Sequence, residues 1–428
     1  MYKFLIIILL QGILMGAVLK ELNYKDKNIS VIFEQNNHLP IFNLQLIFKN
    51  SGYINDKDKA GITRLTAKLL NEGTKKDGAI KFARKLENKA ISIEMHTGFE
   101  TFVIEISCLK EQYKDALSYL VEILKDPNFQ NEPFQKQQYL TISKIKQKED
   151  NFDWVASTNL KNILYANTPL AHSSLGDEKS IENLTLDDIK KRSKEILNIN
   201  NLIIATGGDI NYQELVADLQ PVLKQLTNNK TASLSYIKTS DITKEDIIYK
   251  ETQQSYIYFG SPFYLDSNSK DNYKAKVASF ILGGSGFGSR LMEEIRVKNG
   301  LAYSAYGYIT NKKSSCSFQG YLQTKLDNTN KAKQMIKDII KTFVKNGVTK
   351  KELEAAKKFL SGSEPLRTET FSQRLNRAFS LYYKGLKFDY PKKELEMIEN
   401  LTLQDLNKFI KKHSEITKLS FSIVTQKD

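Results

Sequence analysis

The most constraining feature of this sequence is an internal repeat. Residues 181–189 read Ile-Glu-Asn-Leu-Thr-Leu-Asp-Asp-Ile, and residues 398–406 read Ile-Glu-Asn-Leu-Thr-Leu-Gln-Asp-Leu, an offset of 217 positions. A strand-like apolar segment follows each copy, at 202–205 and at 419–424. This period is too long for a solenoid, whose repeats span about 20–50 residues. The repeat therefore predicts two homologous domains.

The chain length and one polar segment set the expected domain limits. A chain of 428 residues has room for two or three ordinary domains. Residues 228–233 read Asn-Asn-Lys-Thr-Ala-Ser, and Lys, Asp and Thr stay frequent up to residue 245, a composition typical of a linker. We therefore predict an N-terminal domain at 20–227, a linker at 228–245 and a C-terminal domain at 246–428.

Both strand and helix patterns occur within the first repeat. Short segments rich in Ile, Phe and Val, broken by turn residues, predict hairpin strands at 31–34, 43–48, 91–95 and 102–108. Residues 61–72 instead carry apolar side chains at helical spacing and stop at Gly73, which predicts a helix with one buried stripe. A second, long helix is predicted to begin at 131–133, where Asn-Glu-Pro is a typical start. The fold class is therefore α+β.

The N-terminus has the pattern of a secretory leader. Lys3 precedes two apolar runs, at 4–10 and 12–19, and charge resumes at Lys20. The runs are too short for a comfortable membrane-spanning helix, which needs about 20 apolar residues. We predict a signal peptide at 1–19, cleaved near residue 16 or 17, and export to the periplasm of a Gram-negative cell. An uncleaved membrane anchor is the alternative, because no small residue precedes either cleavage position at the usual distance.

Charge and cysteine content argue against several classes of protein. The net charge of +14 comes from lysines that are spread along the whole chain, without a recognisable nucleic-acid-binding motif, so no nucleic-acid partner is predicted. Cys108 and Cys316 are too few for a disulfide framework, and neither belongs to a Cys-x-x-Cys site. Their redox state stays open, either free or paired with each other.

Histidine and glycine patterns exclude further kinds of site. No two histidines lie at the short spacing that zinc sites use; they are His38, His96, His172 and His413. The glycine-rich residues 283–288 match neither a dinucleotide fingerprint nor a phosphate loop, and we interpret them as a flexible turn. The sequence contains no Gly-x-Ser-x-Gly motif, which disfavours a serine hydrolase.

Two longer segments resemble one known family. Residues 61–74 read Gly-Ile-Thr-Arg-Leu-Thr-Ala-Lys-Leu-Leu-Asn-Glu-Gly-Thr, and residues 289–304 read Ser-Arg-Leu-Met-Glu-Glu-Ile-Arg-Val-Lys-Asn-Gly-Leu-Ala-Tyr-Ser. On these motifs the chain resembles the pitrilysin/insulinase-like metallopeptidases, which include the mitochondrial processing peptidase and core subunits of respiratory complexes. The resemblance implies two homologous α+β domains, each a mainly antiparallel sheet with helices packed on one face, that form half of a clamshell.

The sequence departs from this family at the metal site. Active members carry His-x-x-Glu-His on the helix predicted at 61–72, where the two histidines bind zinc and the Glu is the general base. Arg64, Ala67 and Lys68 occupy those positions here, and the position of the third ligand, a Glu, falls at Ser143 or Lys144. Two cations repel Zn²⁺. We therefore predict that this chain binds no metal and hydrolyses no peptide alone.

A second family signature is retained. Arg296 and Tyr303 have the spacing of an Arg/Tyr pair that, in the family, reaches across the chamber to the zinc site of the opposing half. A guanidinium can hold substrate carbonyls through its fork of donors, and a phenol can donate to the oxyanion of a tetrahedral intermediate. The alternative is structural: Arg296 in an ion pair and Tyr303 packed at the start of a strand.

Two functions follow from the resemblance. The first is a non-catalytic, substrate-binding subunit of a heterodimeric zinc metalloendopeptidase, which acts on peptides or unfolded polypeptides. Its partner is then a homologous chain with an intact motif, and the zinc belongs to that partner. The second is a catalytically inert structural or peptide-binding protein on the same fold. Retention of Arg296 and Tyr303 favours the first.

Overall fold

A computed structural model describes residues 16–231 and 233–427. The predicted signal peptide falls mainly outside these residues, since positions 1–15 are not described. The first strand already begins at Val18, within the residues assigned to that leader. None of the helices in the described ranges combines the length and apolar character needed to cross a bilayer.

The described residues form eleven strands in two sheets. The strands of the first sheet are β1 Val18–Tyr24, β2 Lys27–Gln35, β3 Ile41–Lys49, β4 Ser92–Thr97, β5 Thr101–Leu109 and β6 Leu202–Gly208. Those of the second sheet are β7 Glu245–Tyr249, β8 Gln254–Pro262, β9 Ala302–Asn311, β10 Cys316–Lys325 and β11 Ser420–Thr425.

The two sheets repeat one strand order. The first runs β1-β2-β6-β3-β5-β4 and the second β7-β11-β8-β10-β9, so the second reproduces the first without a counterpart of β1. All neighbours are antiparallel except β2 with β6 and β7 with β11, which are parallel at equivalent positions. The predicted α+β fold of two homologous domains with mainly antiparallel sheets is confirmed.

Fourteen α-helices connect and cover the described strands. In the first half they are α1 Ile62–Leu70, α2 Gly78–Glu87, α3 Tyr113–Lys125, α4 Asn131–Glu149, α5 Phe152–Leu164, α6 Glu178–Glu182, α7 Leu186–Ile196 and α8 Tyr212–Leu223. In the second half they are α9 Asn272–Ser279, α10 Thr329–Asn346, α11 Lys350–Gly362, α12 Phe371–Tyr383, α13 Tyr390–Glu399 and α14 Leu403–Lys412. Two π-helical segments, Phe280–Gly284 and Met292–Lys298, follow α9.

Helix α1 begins where the sequence predicted. Gly61 has a φ of 91°, a left-handed conformation that favours glycine, and the buried side chain of Asp56 accepts hydrogen bonds from the amides of Gly61 (3.0 Å) and Thr63 (3.3 Å). These contacts satisfy amides at the helix N-terminus that have no partner within the helix. The apolar side of α1 packs against β4, α4 and α7.

The two halves exchange one helix each. Helix α5 lies between β5 and β6 of the first sheet in sequence but packs on β8 and β11 of the second sheet. Helix α12 lies between β10 and β11 of the second sheet in sequence but packs on β2 and β6 of the first. Helix α12 begins 219 residues after α5 begins, close to the 217-residue offset of the repeat. The resemblance placed helices on one face of each sheet, and the structure adds an exchanged helix on the other face.

This exchange explains why the central strands are buried on both faces. Every residue of β6 is buried, and Ile203 and Ala205 of that strand pack in one cluster with Ala378 of α12. In the second sheet, Gly260 of β8 leaves room for α5, because a Cβ at that position would lie 2.8 Å from Cδ1 of Leu164.

Hydrogen bonds hold both exchanged helices in place. On α5, Asp153 accepts from the hydroxyl of Tyr258 (3.0 Å) and from Nε2 of Gln323 (2.7 Å). On α12, Nε of Arg374 donates to Oε1 of Glu34 at 2.6 Å. These bonds cross between the two halves of the chain, so each helix fixes the orientation of the other half's sheet.

Both cysteines are free and buried, Cys108 on β5 and Cys316 on β10. Burial raises the pKa of the Cys108 thiol to about 11 and that of the Cys316 thiol to about 12. Because the thiolate is the reactive species, we expect no reaction of the folded chain with a disulfide reagent at pH 8 and reaction of both thiols after denaturation. Rapid labelling of either cysteine in the native chain would contradict this prediction.

Candidate functional site

The positions that bind zinc in active relatives lie on one face of α1. Arg64 and Lys68 are separated by one helical turn and are both partly buried, whereas Ala67 is packed in the core. Nη1 of Arg64 donates to Oγ of Ser174 at 3.0 Å, and Nζ of Lys68 donates to Oγ1 of Thr141 at 2.8 Å. The two cations are therefore anchored by hydroxyl groups.

Helix α4 packs against α1 and contributes the other side chains of this site. Thr141, which no sequence motif identified, contacts Lys68, and the charge of Lys144 acts on the same ammonium group. The side chain of Ser143, the other position predicted for the third ligand, makes no hydrogen bond in the described part of the chain. Thr141 could have been found from its spacing, because it lies one turn before Lys144 on the same helix face.

The charge and ligand types at this site do not fit zinc. The pKa of Lys68 is lowered first by burial and then by the neighbouring charges of Arg64 and Lys144. Within the described ranges, no three His, Cys, Asp or Glu side chains are grouped so that they could hold a metal ion. Zinc needs neutral imidazole, thiolate or carboxylate ligands, and this face offers cations and hydroxyls.

We therefore expect the purified chain to contain no stoichiometric zinc after exposure to the metal and dialysis. A variant with the family motif restored, Arg64→His with Ala67→Glu and Lys68→His, is the comparison, because it places two imidazoles one turn apart. Metal analysis by mass spectrometry measures the zinc content of the unaltered chain and of the variant. Tightly bound, stoichiometric zinc in the unaltered chain would contradict the prediction.

The Arg/Tyr pair occupies a separate site in the second half. Arg296 lies on the π-helical segment and Tyr303 near the start of β9. The guanidinium carbon of Arg296 stacks 4.6 Å from the ring centre of Tyr303 and 4.6 Å from that of Phe287. Tyr303 is 81% exposed and Phe287 67% exposed, so the stack faces solvent.

The structural alternative for this pair does not describe what is seen. Among residues 16–231 and 233–427, the guanidinium of Arg296 makes no hydrogen bond and no ion pair, and Tyr303 is not packed. The five donors of the guanidinium are therefore free to bind a ligand. No hydrogen bond, ion pair or ring contact joins this pair to Arg64 or Lys68 in the same described ranges.

Phe287 is a site residue that was not predicted from the sequence. It stands between Gly286 and Gly288, which have φ angles of 69° and 88°. Two left-handed glycines turn the backbone sharply and place the aromatic ring against Arg296. Residues 283–288 were interpreted only as a flexible turn; the aromatic residue between two glycines was the available signal.

Comparison with known proteins decides the family. The model described as "Insulinase (Peptidase family M16)" matches residues 31–178, and the model described as "Peptidase M16 inactive domain" matches residues 183–360. The "Non-peptidase homolog YmxG" of Helicobacter pylori is 42% identical over 100% of this chain and 99% of its own length. The chain belongs to the M16 peptidase family.

Solved structures agree on the M16 fold. A structure titled as a peptidase M16 inactive domain from Pseudomonas fluorescens superposes with a TM-score of 0.87, at 24% identity, over 96% of this chain and 98% of the other. The periplasmic protease PqqL from Escherichia coli gives a TM-score of 0.76 at 16% identity, over 96% of this chain and 48% of PqqL. The 42% identity to the non-peptidase homolog, the match to the inactive-domain model and the substituted zinc positions identify the chain as an inactive M16 homologue.

Proposed function

We propose that this M16 homologue is the non-catalytic, substrate-binding subunit of a heterodimeric zinc metalloendopeptidase. Its partner is a homologous chain with an intact His-x-x-Glu-His motif, which holds the zinc. The observation that carries the proposal is the exposed stack of Arg296 with Tyr303, in which the guanidinium forms no hydrogen bond or ion pair with the described residues. This chain has lost its own zinc ligands but retains an exposed Arg/Tyr pair. Such a pair could act at the zinc site of another chain.

Each member of the pair has its own part in this scheme. Arg296 binds backbone carbonyls of the peptide, because its planar fork of donors fits acceptors that lie side by side. Tyr303 donates a hydrogen bond from its hydroxyl group to the oxyanion that develops at the scissile carbonyl. Phe287 is a positioning residue, since its ring limits the orientations that the guanidinium of Arg296 adopts.

Substrates are peptides or unfolded polypeptides. An extended peptide can add to a sheet edge through backbone hydrogen bonds, and β4 is an edge strand that, among the described strands, pairs only with β5. Helix α1 packs against β4, and the side chain of Asn71 already bonds the backbone N–H and C=O of Met95, so a peptide would pair with the remainder of this edge. Peptide binding at this edge is supported by the strand order and needs no metal.

The compartment we propose is the periplasm, reached through the N-terminal leader. The structural similarity to a periplasmic M16 protease, PqqL, is compatible with that location. A chain that stays anchored by an uncleaved leader is the alternative. The intact N-terminal peptide, sought by mass spectrometry of the protein from cells, distinguishes the two.

The test mixes the purified chain with a zinc-bearing M16 homologue encoded in the same genome. We expect a complex by size-exclusion chromatography and cleavage of an unfolded polypeptide that neither protein cleaves alone. A partner whose catalytic Glu is replaced by Gln is the control, because it forms the complex without the general base. A partner that is fully active alone and unaffected by this chain would favour the inert structural or peptide-binding protein.

A further inference from the structure

Three cations occupy the position where active M16 relatives hold zinc. We call Arg64, Lys68 and Lys144 the cationic cluster. Arg64 and Lys68 are partly buried and bonded to Ser174 and Thr141, and Lys144 is exposed. Across the described part of the chain, none of the three forms an ion pair with a carboxylate.

The neighbouring lysines on α4 differ in this respect. Lys136 forms an ion pair with Glu72 at 3.0 Å, and Lys146 forms one with Glu178 at 2.6 Å. Glu72 lies four residues after Lys68 in the sequence. Its carboxylate, however, already accepts hydrogen bonds from Lys136 and from Nε2 of Gln137. The nearby acidic groups are therefore already paired, and the positive charge of the cationic cluster is not neutralised.

This arrangement costs free energy in the unliganded chain. Cations one turn apart on a helix repel each other, and partial burial removes water that would solvate their charge. Both effects act on Lys68, whose pKa is lowered by burial and by the other two cations. An anion bound among the three side chains would relieve the repulsion and replace the lost solvation.

We infer that the cationic cluster is a binding site for a carboxylate of a polypeptide, either an Asp or Glu side chain or a C-terminal carboxylate. The guanidinium of Arg64 offers a planar fork that matches the two oxygens of a carboxylate, and the ammonium of Lys68 adds a donor one turn away. The position that binds a cation in active relatives thus binds an anion here. The anion site is inferred from the cationic cluster itself. The choice of a polypeptide as the source of the carboxylate rests on the proposed function.

The position of α1 favours a peptide as the ligand. Helix α1 packs against β4, the edge strand of the first sheet, and Asn71 at the end of α1 exchanges hydrogen bonds with the backbone of Met95 on that strand. A peptide that adds to this edge lies beside α1, so its acidic group can reach Arg64 and Lys68 while its backbone pairs with the strand.

The experiment measures peptide binding to the isolated chain by fluorescence anisotropy at physiological ionic strength. The probe is one unstructured labelled peptide in three forms: with Asp residues and a free C-terminus, with Asp changed to Asn, and with the C-terminus amidated. We expect Arg64→Gln and Lys68→Gln each to weaken binding by about tenfold or more, as for loss of a hydrogen bond to a charged group. Weaker binding of the Asn form would show that an Asp side chain is bound. Weaker binding of the amidated form would show that the C-terminal carboxylate is bound.

The matched control is Lys146→Gln, which removes one positive charge from α4 next to the cationic cluster but outside it. Equal weakening by this control would show a general charge effect and overturn the inference, as would failure of every peptide form to bind. Folding of the cluster variants is checked by thermal unfolding, where removal of a repelled cation should leave the melting temperature unchanged or raise it. A failed complementation assay, by contrast, would overturn the proposed function and leave this binding result standing.

Discussion

Replacing Tyr303 with Phe should lower kcat of the assembled peptidase by about 10²–10³, the usual effect of removing one donor to an oxyanion. The hydroxyl is the only group that this change removes, and Tyr303 is 81% exposed, so the fold loses no packing. Complex formation with the zinc-bearing partner should be unchanged. Steady-state kinetics of the mixed subunits, with the partner saturated by this chain, measures the effect.

Arg296→Ala should act differently from Tyr303→Phe. A guanidinium that holds backbone carbonyls contributes to the ground state and the transition state alike, so its loss should mainly raise KM. Tyr249→Phe is the matched control, because Tyr249 on β7 is 56% exposed and lies outside the pair. Full activity of both the Arg296 and the Tyr303 variants would make the pair structural and favour the inert alternative.

Arg374→Ala should destabilise the chain much more than deletion of an exposed ion pair does. Arg374 on α12 donates to Glu34 on β2, and the Glu34 side chain is 3% exposed. Removing one partner of a buried pair leaves an uncompensated charge, which costs about 3–5 kcal/mol of unfolding free energy. Burial already raises the pKa of Glu34 while Arg374 lowers it, so the variant should also leave Glu34 protonated at higher pH. Urea denaturation measures the loss.

Two further variants separate this effect from loss of a side chain in general. Arg367→Ala removes an arginine that is 48% exposed and 3.9 Å from Glu364, so it should cost less than about 1 kcal/mol. Glu34→Gln added to Arg374→Ala removes the unpaired charge and should recover part of the stability. Equal losses in the two arginine variants, without recovery, would show that the Glu34–Arg374 pair is not buried in solution.

The sequence predicted the duplicated fold because the repeat is a local signal. The motif at 181–189 and 398–406 is followed in both copies by a helix and a strand, and the structure places β6 and β11 at equivalent positions in their sheets. The exchange of α5 and α12 was not predictable, because it depends on contacts between residues far apart in sequence. From the sequence alone, Asp153 and Arg374 resemble solvated surface residues, because their partners belong to strands of the other half.

The candidate sites were predictable to different degrees. Arg64, Ala67 and Lys68 followed from the family motif, since residues one turn apart on a helix share a face. Thr141 belongs to a separate helix, so the motif on α1 could not identify it, although its spacing from Lys144 on α4 was an available signal. Phe287 depends on the left-handed conformation of its two neighbouring glycines, which composition alone does not specify.

The exchanged helices make this chain equivalent to a domain-swapped dimer whose two subunits have become one polypeptide. Each half, expressed alone, would keep a sheet whose second face lacks the helix that covers it, and would present an unpartnered helix of its own. Two such fragments could satisfy both surfaces only by associating with each other. Cutting the chain between residues 228 and 245 is therefore expected to give two fragments that remain bound, because the two exchanged helices hold the halves together without the covalent connection.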